Sequence, residues 1–315
     1  MKIAIIGSGI SGLTAGYLLS RNHDVTMFEK NNYIGGHTHT HDIEYEGKNW
    51  AVDSGFIVYN EWTYPNFIKL LDQLDVERQV TRMGFSVKSE SEDLEYAGHS
   101  LNGLFAQRSN LIRPSFLKML YNMKRFNQEA RKDLAAIDPQ TTLGEYLLSN
   151  NYSNEFIQHY IIPIGAAIWS TVPNNMMNIP AVFFIRFFEN HGLLQIVDRP
   201  AWWVIKGGSK TYVEKITSGF KDSIRLSTPV KNVKREKDSI IVHFGSEGEN
   251  TESFDAIVFA THSDQSLEIL EQPTKDEEEI LGAIKYQNNS AILHFDDSIL
   301  PKRKNAWSSW NYLLD

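Results

Sequence analysis

The chain has 315 residues, 42% of them hydrophobic, a net charge of −8 and no cysteine. That is enough apolar material for more than one packed domain. The acidic balance disfavours a nucleic-acid partner, and the lack of thiols removes disulfides, iron–sulfur clusters, thiol catalysis and cysteine-based zinc sites.

The N-terminal KIAIIGSGISGLTAGYLLSRNHDVTMFEK reads as strand, turn, helix, strand. IAII (3–6) is a short continuous apolar run, suited to a parallel strand buried on both faces. Gly7, Gly9 and Gly12 then spell G-x-G-x-x-G, which serves a tight turn, a close phosphate approach and close helix–strand packing in that order. Asn22 and His23 end the helical pattern, and VTMF forms the second strand. Glu29 closes that strand about 20 residues after Gly7, where an acid accepts hydrogen bonds from both hydroxyls of an adenosine ribose. A carboxylate there also repels a 2′-phosphate, so NADP is disfavoured. Gly7 interrupts the apolar start too early for a secretory signal, and no apolar run reaches the ~20 residues of a membrane span. A cytoplasmic protein is therefore expected, with peripheral membrane contact left open.

Beyond Glu29 the chain reads KNNYIGGHTHTHD. Its paired glycines Gly35 and Gly36 resemble the extended FAD fingerprint of glutathione-reductase-like flavoproteins, above all the amine oxidase, phytoene desaturase and protoporphyrinogen oxidase group. In that group the glycines let the backbone run along the pyrophosphate and an arginine often follows. Here the following residue is His37, which can still donate to a phosphate oxygen. His37, His39 and His41 alternate and would share one face of a strand. A mononuclear metal site usually draws its ligands from separate elements, so no metal is expected. His37 is assigned to the cofactor wall, and His39 and His41 to the strand leading away.

Further along, WAVDSGFIVYNEWTYPNF predicts a strand, a kink at Ser54-Gly55, and an amphipathic helix over 62–76. Short strands follow over 80–100 with a turn at 89–93. Helices are expected at 115–137, 142–149 and 153–160. The stretch 181–203 is dense in aromatics (Phe183, Phe184, Phe187, Phe188, Trp202 and Trp203). It reads first as the core of a second domain and second as an apolar substrate channel. Arg186, Glu189, Asn190 and His191 are its polar candidates. GGSKTYVEKI (207–216) is a glycine turn opening a helix, and strand, turn and strand follow. DAIVFATH (255–262) reads as another buried parallel strand.

The resemblance covers the whole chain. It is closest to a bacterial-type branch of NAD/FAD-binding, amine-oxidase-like oxidoreductases, carried by GGHTHT, VDSGFIVYNEWTYPNF, LFAQRSNLIRP, PIGAAIWS, RFFENHGLL, GGSKTYVEKI, ATHSDQSL and LGAIKYQNN. It implies an α/β fold: a discontinuous glutathione-reductase-like FAD-binding Rossmann domain (1–62 and 204–265) with an α+β substrate domain (63–203 and 266–315). The cofactor-contacting residues it implies are Gly7, Ser8, Gly9, Ile10, Ser11 and Gly12 of the first turn, then Glu29, Lys30, Gly35, Gly36, His37 and Thr38. Ser54, Gly55 and Phe56 would pass the flavin ring, Val230 would meet the adenine edge, and Ala260 and Thr261 would end a nucleotide-proximal strand. No catalytic residue is named. The implied function is FAD-dependent removal of hydride from an apolar, lipid-like fatty-acyl substrate, with a flavin-dependent amine oxidase as the alternative. An NAD-linked dehydrogenase fits the G-G-H tail less well. Members of the branch continue past WSSWNYLLD into a closing glycine-rich segment. The sequence reading thus expects a truncated or split product, with a complementing C-terminal chain or a redox-silent flavin binder as its consequences.

Overall fold

The computed structural model describes residues 1–170, 172–195 and 197–314. The chain divides into two compact units. One comprises Met1–Val58, Asn66–Gln79 and Val204–Ile292, and the other Tyr59–Pro65, Val80–Trp203 and Leu293–Asp315.

In the first unit β1 (Lys2–Ile6) runs parallel to β2 (Asp24–Phe28) on one side and to Ala256–Phe259 on the other; Ile224–Arg225 extends the sheet beyond β2. Between β1 and β2 lies α1 (Ile10–Leu19), which ends at Ser20, before Asn22 and His23. Ile3–Ile6 are buried, as a central strand covered on both faces must be. The Ala256–Phe259 strand was expected to be buried as well. All four of its residues are only partly buried, because strand order puts it at the sheet edge. An antiparallel meander of Val230–Arg235, Ile240–Phe244 and Asn250–Phe254 packs on this sheet through Ala4, Phe28, Val242 and Phe254.

β3 (Thr40–Tyr45) and β4 (Lys48–Asp53) form a hairpin in the same unit. α2 (Pro65–Gln73) also belongs largely to it, although residues 66–79 were expected in the substrate domain. The reason is packing: Phe67 meets Phe56 at 5.5 Å and Tyr212 at 5.4 Å, both edge-on. Residues 266–292 likewise cluster with the first unit, where Leu270 packs with Ile6 and Val233.

The second unit has a small sheet in which Phe85–Ser89 pairs antiparallel with Leu94–Ala97 and parallel with Trp310–Leu313. The turn between the first two strands falls at 90–93, inside the predicted one. Helices cover Pro114–Asp133, Leu143–Ser149 and Asn154–Phe156, the last continuing through a wider turn at Ile157–Ile161 into Ile162–Trp169. The aromatic helix is Ala181–Asn190. The core of this unit joins Phe126, Phe156, Phe184 and Phe188 with Tyr96 and Tyr146.

Candidate functional site

In the first unit a cradle forms where β1 hands over to α1, and its geometry is set by backbone. Gly7 has φ +99°, and its N–H donates to the Phe28 carbonyl at 2.8 Å. A Cβ on Gly7 would stand 2.8 Å from the Ala260 carbonyl oxygen and 3.2 Å from the Thr261 methyl group, so Ala260 and Thr261 close the far side of the turn. A Cβ on Gly12 would stand 1.9 Å from the Gly7 carbonyl oxygen, so only glycine lets the helix lie this near. Gly9 differs. No heavy atom lies within 4 Å of its Cβ position, and the helix it caps has no side-chain partner for its first N–H groups. Ile10 and Ser11 are exposed in that first turn.

Ser8 and Glu29 are buried together. One carboxylate oxygen of Glu29 accepts from the Ser8 N–H (3.0 Å) and from the Ser8 hydroxyl (2.6 Å), and the other accepts from the Asn31 N–H (2.8 Å). A carboxylate has about four acceptor positions. One is therefore left open, not the two that a ribose diol would use. Lys30, next in the chain, is exposed.

The paired glycines fold back on this turn. Gly35, at φ +124°, donates to the Ser8 carbonyl at 3.1 Å, and a Cβ on Gly36 would reach within 3.1 Å of the Gly9 Cα. Thr38 donates its N–H to the Gly35 carbonyl and shares a 2.6 Å hydrogen bond with the Tyr212 hydroxyl. Burial pushes the Tyr212 phenol up.

Residues 54–56 run beside 37–39. The Ser54 N–H donates to the His39 carbonyl and the Phe56 N–H to the His37 carbonyl. A Cβ on Gly55 would lie 1.8 Å from the His37 carbonyl oxygen. Gly55 thus allows a close approach to the chain's own backbone at His37. The histidines divide into two stacks. His37 lies 5.6 Å from His262, which lies 4.3 Å from Tyr286, while His39 sits between Tyr33 (4.4 Å) and His41 (4.3 Å). His41 Nε2 is 2.9 Å from the Ser54 hydroxyl. Among the described residues, no three His, Cys, Asp or Glu side chains are grouped to hold a metal. Val230 is half-buried at the start of its strand, opposite Phe244, at a register shift in the meander.

Sequence reading passed over the group that ties this region together. Asp53 accepts from the Ser209 N–H at 3.0 Å and from its hydroxyl at 3.1 Å, and also from the Thr40 hydroxyl. The Lys210 N–H donates to that same Thr40 hydroxyl. The available signal was an acid directly ahead of Ser54-Gly55 and a G-G-S turn opening a helix. Their partnership spans 156 residues and has no local trace.

The second unit holds a cavity of about 130 Å³. Phe85 and Tyr96 come to it from the small sheet, and Met123 and Asn127 from the long helix. Tyr160, Ile164, Ile168, Phe187, His191, Trp202 and Trp310 complete its apolar and aromatic walls, with Arg199 and His99 beside them. No carboxylate lines it among the described residues. Burial pushes the Tyr160 phenol up to about 12, against the pull of the Arg199 guanidinium. His191 Nδ1 lies 2.8 Å from the Phe187 carbonyl, so that nitrogen carries the proton and donates. Burial, the larger influence, pushes the His191 imidazole down against that hydrogen bond. Asn127 Oδ1 is buried with no hydrogen-bond partner among the described residues.

The two readings of the aromatic stretch divide along one helix. Phe184 and Phe188 are core, while Phe187 and His191 line the cavity. Arg186 and Asn190 are exposed, and Glu189 pairs with Arg131 at 2.8 Å.

Residues 10–310 match the family described as flavin-containing amine oxidoreductase. The chain belongs to that family, so the expected flavoprotein class and α/β fold stand. It is 23% identical to an L-amino-acid oxidase of Mus musculus over 92% of the chain and 46% of that protein. Among solved structures, a putrescine oxidase variant superposes with TM-score 0.67 at 18% identity, covering 89% of this chain and 62% of the other. A fatty acid isomerase from P. acnes superposes with TM-score 0.61 at 16% identity, covering 89% and 63%. The chain thus spans about half the length of the curated relative and under two thirds of these structures. At such identities the superpositions speak for the fold alone. No helix of the described residues is long and apolar enough to cross a membrane.

Proposed function

We propose that this chain is the FAD- and substrate-binding part of an oxidoreductase that takes hydride from an apolar, lipid-like fatty-acyl substrate. Membership of a flavin-containing family supports the cofactor, and the cradle is a fit for it. Open space lies over Gly9, beside a helix start whose N–H groups lack side-chain caps. Such a site favours an anionic pyrophosphate. Gly7, Ser8, Gly9, Ile10, Ser11 and Gly12 would hold that group, with Gly35, Gly36, His37 and Thr38 closing over it. Glu29 would take one ribose hydroxyl with its remaining acceptor position, with Lys30 at its side. Val230, Ala260 and Thr261 would border the adenosine half, and Ser54, Gly55 and Phe56 would stiffen the His37 backbone. When bound, the flavin supplies the hydride acceptor.

The observation that carries the substrate class is the lining of the cavity. Its walls are apolar and aromatic, and its charged member, Arg199, is a cation. An alkylammonium substrate entering it would meet no carboxylate, whereas a neutral or anionic chain is not penalised. The buried Asn127 Oδ1 offers one acceptor to orient a polar group. The family description and the L-amino-acid oxidase and putrescine oxidase likenesses favour an amine as the second reading.

The test is anaerobic flavin absorbance of FAD-loaded protein mixed with unsaturated fatty-acyl lipids or with primary amines. Bleaching by the lipids alone is the expected result. Bleaching by amines alone moves the assignment to the second reading, and no bleaching by either class removes both.

A further inference from the structure

We propose that the second unit docks on an anionic lipid bilayer through the start of its long helix, Pro114–Asp133. The chain is acidic overall, yet residues 101–125 contain Arg108, Arg113, Lys118, Lys124 and Arg125 and no Asp or Glu. The same stretch presents apolar side chains to solvent. Ile112 is 83% exposed, Leu117 43% and Tyr121 66%.

These residues form one strip. The helix is capped at Arg113, so Ile112 and Leu117 hold the two positions flanking its first turn that lie side by side in a hydrophobic staple. Leu117 and Tyr121 are four apart and share a face. Tyr121, Lys118 and the 66%-exposed Leu148 line one surface groove. The opposite face of the helix, with Phe116, Met119, Phe126 and Ala130, is already buried in the core. The exposed apolar strip is therefore not the helix's packing face.

The charges choose the occupant. Lys118 pairs with Glu155 at 3.4 Å, and Arg125 with Glu129 at 2.8 Å. Arg108, Arg113 and Lys124 have no carboxylate within ion-pair distance among the described residues. Arg113 donates instead to the Asp93 and Glu92 carbonyls, and Arg108 to the Phe105 carbonyl and the Asn102 side chain, so both keep a net positive charge. Long cations beside protruding apolar tips suit a headgroup layer, where the tips enter the acyl boundary and the guanidinium and ammonium groups stay with phosphate. The rest of this acidic chain would be repelled by the same surface, which orients the docking.

Flotation of the 315-residue chain with vesicles tests this without any flavin readout, so its outcome is separate from that of the oxidoreductase reading. The chain should float with vesicles of equal parts phosphatidylglycerol and phosphatidylcholine, and not with phosphatidylcholine alone. Binding should fall with added salt. Paired substitutions Arg108→Glu/Lys124→Glu, and separately Ile112→Glu/Leu117→Glu, should each lower partitioning about tenfold or more. All four positions are at the surface, and circular dichroism of each variant checks that it is folded. Ile280→Glu, at an exposed apolar position of the first unit, should float like the parent. Equal flotation with neutral vesicles, no flotation, undiminished flotation of both folded paired variants, or equal loss in Ile280→Glu would each overturn the proposal. Capture of an acidic protein in the absence of vesicle binding would overturn it as well.

Discussion

In the first unit the positions that tolerate no side chain are glycines, and in the second the positions that tolerate no loss are phenylalanines. At Gly12 an added methyl would stand 1.9 Å from a carbonyl oxygen, and at Gly55 it would stand 1.8 Å from another. At Phe184 the opposite holds: the ring is fully buried, 4.2 Å from Phe188 and 5.6 Å from Trp169. A cofactor cradle built on backbone approach demands glycines at fixed spacing. A cavity inside an aromatic core demands volume, which many apolar sequences supply.

The largest effect should come from the aromatic side of this contrast. Phe184→Ala removes a fully buried ring whose neighbours are themselves held by helices and cannot all collapse inward. The expected destabilisation is about 3–5 kcal/mol in urea unfolding, with an unchanged denaturant slope. A loss under about 1 kcal/mol would mean that the core relaxes freely. The cavity next to it would then be a product of loose packing and not of shape.

A smaller effect belongs to Glu29, the carboxylate buried against the glycine turn. Glu29→Gln keeps the shape but replaces one oxygen with a donor, which must then face the N–H of Ser8 or Asn31. One such mismatch costs about 1–3 kcal/mol. FAD affinity should drop about tenfold, the equivalent of 1.4 kcal/mol, because the remaining acceptor position loses its charge. Calorimetric titration measures it. Unchanged affinity would mean that Glu29 serves only to hold Ser8 and the Asn31 backbone.

What the sequence disclosed follows the same division. The β1–α1–β2 unit was legible because each glycine answers a local steric demand and the acid sits at a fixed distance. The long helices were legible from their period, and Pro114–Asp133 lies one residue from its predicted start. The roles of Gly55 and of the Asp53–Ser209 pair were not legible, because both depend on backbone segments brought together by tertiary folding. The placement of α2 with the first unit escaped for a similar reason: its amphipathic pattern shows that it buries a face, but not against which partner. The aromatic stretch was legible as apolar only. Whether a phenylalanine faces core or cavity turns on helical phase against neighbours from several separate segments.

The smallest effect is a pH dependence carried by His191, which belongs to both halves of that ambiguity. The ring stacks on Phe187 at 3.9 Å and lines the cavity, and burial holds its pKa below the ordinary 6.5. The sign follows from proton binding. Above about pH 6.5 the imidazole is neutral in both the folded and the unfolded chain and contributes no slope. As the pH falls below that value, the unfolded chain takes up the proton first, so the unfolded state is favoured and stability declines. The decline stops once the pH passes below the folded value, where both states are protonated. Stability at this site is therefore greatest at neutral pH and is lost on acidification. His191→Phe should flatten that part of the curve, and subtracting the variant's pH profile from the parent's isolates this one group from the other histidines. Denaturant midpoints from neutral pH downward provide the measurement. A flat difference curve would mean that burial leaves the imidazole as it is in the unfolded chain, and one that rises on acidification would show that the folded chain holds the proton more tightly. In that second case the cavity would hold a second cation beside Arg199, and the case against an ammonium substrate would strengthen.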